Sequence, residues 1–196
     1  MDKQNLLHNF MLFEYEDVKP SKSSDGIITM SGIIQKAGAP NANNRVYPKP
    51  ILEREDKKYQ ELIQDRRALG ELDHPDSAIV QLENVSHVVT DTRWDGNDLM
   101  GEIEVLDTPK GQILEKLIGR DIKLGISSRG LGSTSRTNEG YDMVEDYFSL
   151  VCYDMVSNPS TSGAYMNLQE SREYKTLVNQ NRIVLLDEIL NDILEL

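Results

Sequence analysis

The stretch from Ile122 to Ser133 reads Ile-Lys-Leu-Gly-Ile-Ser-Ser-Arg-Gly-Leu-Gly-Ser. Its first half alternates, with Ile122, Leu124 and Ile126 on one side and Lys123, Gly125 and Ser127 on the other. A repeat of two marks a β-strand with one buried face, because successive side chains of an extended chain point in opposite directions. The strand runs into a glycine-rich turn, Gly130-Leu131-Gly132. A serine on the small, open face beside Gly125, followed by an arginine and glycines, suits a nucleophile. Glycine lets a substrate backbone approach, and unblocked amides near a turn can face a developing oxyanion. Read alone, Ser127 and Ser128 equally suit a polar strand end before a turn.

Working outward, Ile27 to Gln35 reads as a first strand and Gly38 to Asn44 as a turn-rich loop. Pro50 opens a helix whose apolar positions are Ile51, Leu52, Tyr59, Leu62 and Ile63. Ala68 to Leu72 forms a short strand leading to His74, which Pro75 biases towards extended geometry. Ile79 to Thr92 and Asp98 to Leu106 read as two more strands, joined by the hairpin-type turn Asp95-Gly96-Asn97. Thr108-Pro109 caps a second helix that buries Ile113, Leu114, Leu117 and Ile118 and ends at Gly119. Tyr141 to Val156 follows as one or two apolar strands. Strands interrupted by two helices predict a mainly β protein, a barrel or sandwich carrying helices.

Residues 1–168 are expected to form one domain and residues 169–196 a tail of different character. In that tail Ile183, Leu186, Leu190 and Ile193 recur at spacings of three and four, an amphipathic helical stripe. It suits docking on its own domain, pairing with another helix, or an address read by a partner.

At 196 residues the chain can bury a sizeable core. Its net charge of −12 argues against a nucleic-acid surface or an anionic membrane, both of which call for clustered Lys and Arg. No apolar run approaches the roughly 20 residues of a spanning helix, and the polar Met1 to Asn5 lacks a signal-peptide core. The single Cys152 excludes an internal disulfide framework and a multi-cysteine zinc site, and its apolar surroundings predict inert burial. Neither a metal nor a cofactor is expected: Asp73, His74 and Asp76 lack a second histidine or a thiolate at ligand spacing.

Three histidines keep the search for a base short: His8, His74 and His87. A serine hydroxyl is a weak nucleophile unless an imidazole takes its proton, and that imidazole needs a third group to fix its tautomer. His8 lies in irregular sequence, His87 in a strand, and His74 in the segment Gly70-Glu71-Leu72-Asp73-His74-Pro75.

That hexapeptide, together with Gly125 to Ser133, resembles the prohead core proteases of tailed phages, especially the T-even-like group. Further matches are Asn43-Asn44-Arg45-Val46-Tyr47-Pro48, Trp94-Asp95-Gly96-Asn97-Asp98, and Asp154-Met155-Val156 with Pro159-Ser160. These blocks run in order over roughly residues 30 to 165. The resemblance implies the fold of the herpesvirus maturational proteases, a closed β-barrel surrounded by helices. It implies a serine endopeptidase in the host cytoplasm, packaged inside the prohead, that cleaves scaffold, core and major capsid proteins and then itself.

Carried over residue by residue, His74 is the general base and Ser127 the nucleophile, with Ser128 as its rival. The alternation of the strand separately favours Ser127, since Ser128 shares a face with Ile126. The third member implied is Asp154, with His87 as the fallback. Arg129 and Gly130 are candidates to support the oxyanion. Relatives of this type cut after glutamate with an aliphatic residue two positions earlier. That pattern makes Leu12-Phe13-Glu14, Leu186-Asp187-Glu188 and Ile193-Leu194-Glu195 candidate self-cleavage sites. Arg45, Lys123 and Arg136 are candidate cations for such a pocket. The tail is expected to serve targeting, homo-oligomer formation or self-cleavage. The alternative is a non-catalytic capsid-assembly module that kept the barrel and lost the chemistry.

Overall fold

The computed structural model describes Asn5–His8 and residues 26–168. The candidate sites at Glu14, Glu188 and Glu195 and the tail stripe lie outside the described residues.

The N-terminal piece is a strand, β1 (Asn5–His8). Strand β2 (Ile28–Lys36) follows, with every second residue buried over most of its length. The turn-rich loop holds Asn44 at φ 58 and leads into the short β3 (Arg45–Val46). Helix α1 (Lys49–Gln64) starts where Pro50 needs no amide partner, and buries Ile51, Leu52, Glu55, Asp56 and Tyr59 at helical spacing. Its buried Asp56 accepts hydrogen bonds from the Thr92 hydroxyl (2.6 Å) and the Trp94 indole (3.2 Å), which seats the helix on the sheet.

Strand β4 (Leu69–Glu71) is short. The expected strand from Ile79 is corrected here: Ile79 and Leu82 are 71% and 75% exposed, and a single 3-10 turn (Leu82–Asn84) precedes β5 (Val85–Asp95). Its hairpin partner is β6 (Asp98–Val105), joined through Gly96 at φ 58. Helix α2 (Pro109–Ile118) is capped as read, the Thr108 hydroxyl accepting from the Gly111 amide at 3.0 Å. It buries Leu114 and Ile118, whereas Ile113 is exposed. Gly119 keeps a helical φ of −64, and the left-handed turn falls instead at Asp121.

The organising strand, β7, spans Gly125–Gly132 rather than starting at Ile122. Ile122 is 47% exposed, and its amide still donates to Leu117 at the end of α2. Beyond it come β8 (Thr134–Arg136), β9 (Asp142–Val144), β10 (Ser149–Val156) and β11 (Asn167–Leu168).

Among the described residues these strands make three sheets, ordered β1-β7-β10, β11-β2-β6-β5-β4 and β3-β9-β8. Their ladders form no closed barrel, which corrects that expectation. The five-stranded sheet and the β1-β7-β10 sheet are joined in ladder pairing by the single bridges Leu72↔Met155 and Gly125↔Tyr165. One seam stays short because Asp73 turns to φ 67 directly after Leu72 and Pro75 follows. The core between the five-stranded sheet and the β1-β7-β10 sheet includes Ile34, Val89, Leu99, Ile103, Ile126 and Met155. Tyr59 of α1 packs edge-on against Tyr153, with ring centroids 5.3 Å apart. No helix among the described residues is long and apolar enough to cross a membrane.

Candidate active site

Strands β7 and β10 run antiparallel, and Asp154 stands directly opposite Ser127. Alternation then sorts the side chains. Ile126, Tyr153 and Met155 enter the apolar core, whereas Ser127, Arg129, Cys152 and Asp154 share the other face. That second face is also buried: Ser127, Arg129 and Asp154 are each 0% exposed.

The segment after β4 supplies the cover. Leu72 bridges to Met155, and the Asp73 amide donates to the Met155 carbonyl at 2.8 Å. The left-handed turn at Asp73 then brings His74 back over its neighbour on β10, where Nδ1 lies 2.7 Å from Asp154 Oδ2. An aspartate tolerates that turn better than most residues with a side chain.

Asp154 is held from several sides. Its Oδ1 accepts from the Glu71 amide at 3.0 Å, and Arg129 Nε lies 2.9 Å from its Oδ2 as an ion pair. Burial alone would raise the pKa of this carboxyl. The hydrogen bond from His74 and the charge of Arg129 outweigh that penalty and hold it below the usual carboxylate range.

Arg129 is the hub of the face. Its Nη2 donates to Glu71 Oε2 and to Cys152 Sγ (3.1 Å), and its Nη1 donates to the Ser77 carbonyl at 2.9 Å. The guanidinium is therefore committed to a carboxylate pair and to the loop that bears His74. Cys152 is buried as expected, and burial pushes its thiol pKa well up.

The rival and fallback residues take other partners. Ser128 Oγ accepts from Gln35 Nε2 at 2.8 Å on the core side. His87 is fully buried, with the Ser86 hydroxyl 2.9 Å from Nδ1 and the Tyr153 carbonyl 3.1 Å from Nε2. The carbonyl requires a proton on Nε2, which leaves Nδ1 to accept from Ser86. Burial lowers the pKa of this histidine to about 4. Gly130 sits three residues along β7 from Ser127, roughly 10 Å away at strand rise. A Cβ there would meet the Phe148 ring at 2.4 Å, which accounts for the glycine.

Of the candidate pocket cations, Arg136 is exposed and ion-paired to Asp142 at 2.9 Å, Arg45 stands opposite Asp142 in the β3-β9 ladder register, and Lys123 is exposed just before β7. Two further residues of the face carry no individual signal in the sequence: Glu71, inside the Gly70–Pro75 hexapeptide, and Ser160, beside Pro159. Ser160 is fully buried, with its Oγ 3.3 Å from Ser127 Oγ. Nothing periodic marks either one, because their partners are long-range.

On this buried face Asp154 stands opposite Ser127 and is bonded to the His74 imidazole. A family model described as prohead core protein serine protease matches residues 9–176 of the chain. The prohead core protein protease of Enterobacteria phage T4 is 40% identical over 151 residues, covering 75% of this chain and 71% of that protein. The solved structure of the bacteriophage T4 capsid assembly protease, gp21, is similar with a TM-score of 0.67 at 33% identity. That likeness covers 77% of this chain and 96% of the other.

Proposed function

The chain belongs to the family of prohead core protein serine proteases, and from that premise we propose that it is a serine endopeptidase using Ser127, His74 and Asp154. The observation that carries the reading is the 2.7 Å contact between His74 Nδ1 and Asp154, on the strand position facing Ser127. A carboxylate at Nδ1 fixes the tautomer with its proton there, so Nε2 keeps the lone pair that a base needs.

In this mechanism Nε2 takes the Ser127 proton as Oγ attacks the scissile carbonyl. The imidazolium then gives that proton to the leaving amine, and the peptide C–N bond breaks. Water, deprotonated by the same nitrogen, hydrolyses the acyl ester and restores Ser127. Arg129 supports the site by holding Asp154 and the His74 loop, and Gly130 is left out of the oxyanion because of its distance along the strand.

The substrates are scaffold, core and capsid proteins within the prohead, cut after glutamate, and the chain itself. The pairing of Asn5–His8 with Arg129–Gly132 supports self-cleavage as a control step, since a cut after Glu14 frees β1 from the edge of β7. The test is incubation of the full chain, and of Ser127→Ala, with terminal sequencing by mass spectrometry. Loss of residues up to Glu14 in the wild type alone supports the reading. Equal processing, or none, in both leaves the non-catalytic assembly module.

A further inference from the structure

We propose that Glu71 is a positioning residue for the reaction: its carboxylate offsets the charge of Arg129, so that Asp154 stays available to the imidazolium of His74. The proposal deepens the reading above and rests on His74 and Asp154 acting together on Ser127.

Glu71 closes β4 and is fully buried. One carboxylate oxygen takes Arg129 Nη2, the other accepts from the Gln81 amide at 2.7 Å, and its own amide donates to Asp154 Oδ1. Arg129 lies between two carboxylates, with Nη2 towards Glu71 and Nε at 2.9 Å from Asp154 Oδ2. It also ties down the loop that carries His74, through Ser77.

The other titratable groups around Asp154 are Cys152 on its own strand, His87 on β5 and Tyr59 on α1. Burial drives each towards its neutral form: the Cys152 and Tyr59 pKa values are pushed well up and that of His87 down to about 4. The charge balance of this face is therefore set by Glu71, Asp154, Arg129 and, during reaction, His74. Two carboxylates and one guanidinium leave one surplus negative charge. When His74 takes the Ser127 proton, the imidazolium completes two cations against two carboxylates.

Without the charge of Glu71, Arg129 alone would neutralise Asp154. The imidazolium would then form in a buried site with no net counter-charge, where the cost of an unmatched ion is greatest. Arg129 clamps the loop, and Glu71 cancels the electrostatic side effect of that clamp.

The test measures the rate of fluorophosphonate labelling against pH for the full chain and for Glu71→Gln, Glu71→Leu and Glu71→Asp. Removing one negative neighbour lowers the rate at pH 8 by about tenfold and moves the acid limb down by about 1 pH unit in the neutral variants. Glu71→Asp, which keeps the charge, returns the limb towards the wild-type position. A purely structural role would change folded yield and leave the limb where it is. An unmoved limb in either folded neutral variant overturns the proposal. So does failure of both neutral variants to fold while Glu71→Asp folds, since the residue then serves the fold. Ser127→Ala, run alongside, separates the two readings: labelling that survives in it sinks the triad rather than Glu71.

Discussion

Ser127 and Asp154 are direct partners across the ladder of β7 and β10, and their side chains leave the sheet on the same face. Facing pairs in an antiparallel ladder hold their Cβ atoms about 5 Å apart, so a group bonded to one of them is a neighbour of the other. His74 is bonded to Asp154. The ladder register thereby brings a segment from the end of β4 to the face of β7 that bears Ser127, across more than fifty residues of sequence.

Replacing Asp154 with asparagine keeps the shape and removes the charge and the tautomer control. The expected result is a fall in kcat of roughly 10⁴-fold with KM little changed. Steady-state kinetics on a glutamate-containing peptide checks it, and a wild-type kcat would remove Asp154 from the mechanism.

Gly125 lies under Pro159, where an added Cβ would meet ring atoms at 2.2, 2.4 and 2.7 Å. A proline ring cannot rotate away, so Gly125→Ala is expected to cost about 1–3 kcal/mol of stability. Activity should fall too, because Pro159 precedes Ser160, whose hydroxyl is 3.3 Å from Ser127. Gly119→Ala is the control: its nearest atom is at 3.4 Å and its φ of −64 suits any residue. Urea unfolding of the two variants should separate them clearly.

Much of this was legible from local pattern. The Asp95-Gly96-Asn97 turn, the Thr108-Pro109 cap and the short strand before His74 depend on neighbours in sequence, and they stand where the residues put them. Ile79 and Leu82 are apolar and suggest a buried strand, yet both are exposed. That loop is held instead by polar contacts, from Glu71 to the Gln81 amide and from Arg129 to the Ser77 carbonyl. Arg129 is a candidate in the sequence to support the oxyanion, and a lone sequence position shows none of the partners that hold it. Its partners come from β4, β10 and the His74 loop, and only folding assembles them.

His87 makes stability depend on pH. Its folded pKa of about 4 lies below the ordinary 6.5, so the unfolded chain binds more protons between those values. Stability therefore rises with pH across that window and is lost as pH falls through it, by about 3 kcal/mol in total. Asp154 acts lower: its depressed folded pKa contributes stability above the ordinary 3.8 that is lost as pH falls through the folded value. Urea midpoints from about pH 2 to 7 test both windows, and His87→Gln should flatten the slope above pH 4.

The sheet that carries β2 ends at β11, with Asn167 opposite Ser31. A chain stopped after residue 168 is expected to unfold within about 2 °C of the full chain. A much larger drop in thermal midpoint would show that the tail belongs to the core.

In the proposed mechanism the imidazole of His74 activates the hydroxyl of Ser127 and no other. Fluorophosphonate labelling followed by peptide mass spectrometry tests it most directly. The predicted result is one adduct, on Ser127, absent in Ser127→Ala and strongly reduced in His74→Gln. An adduct on Ser128 or Ser160, or labelling undiminished in His74→Gln, would contradict the account.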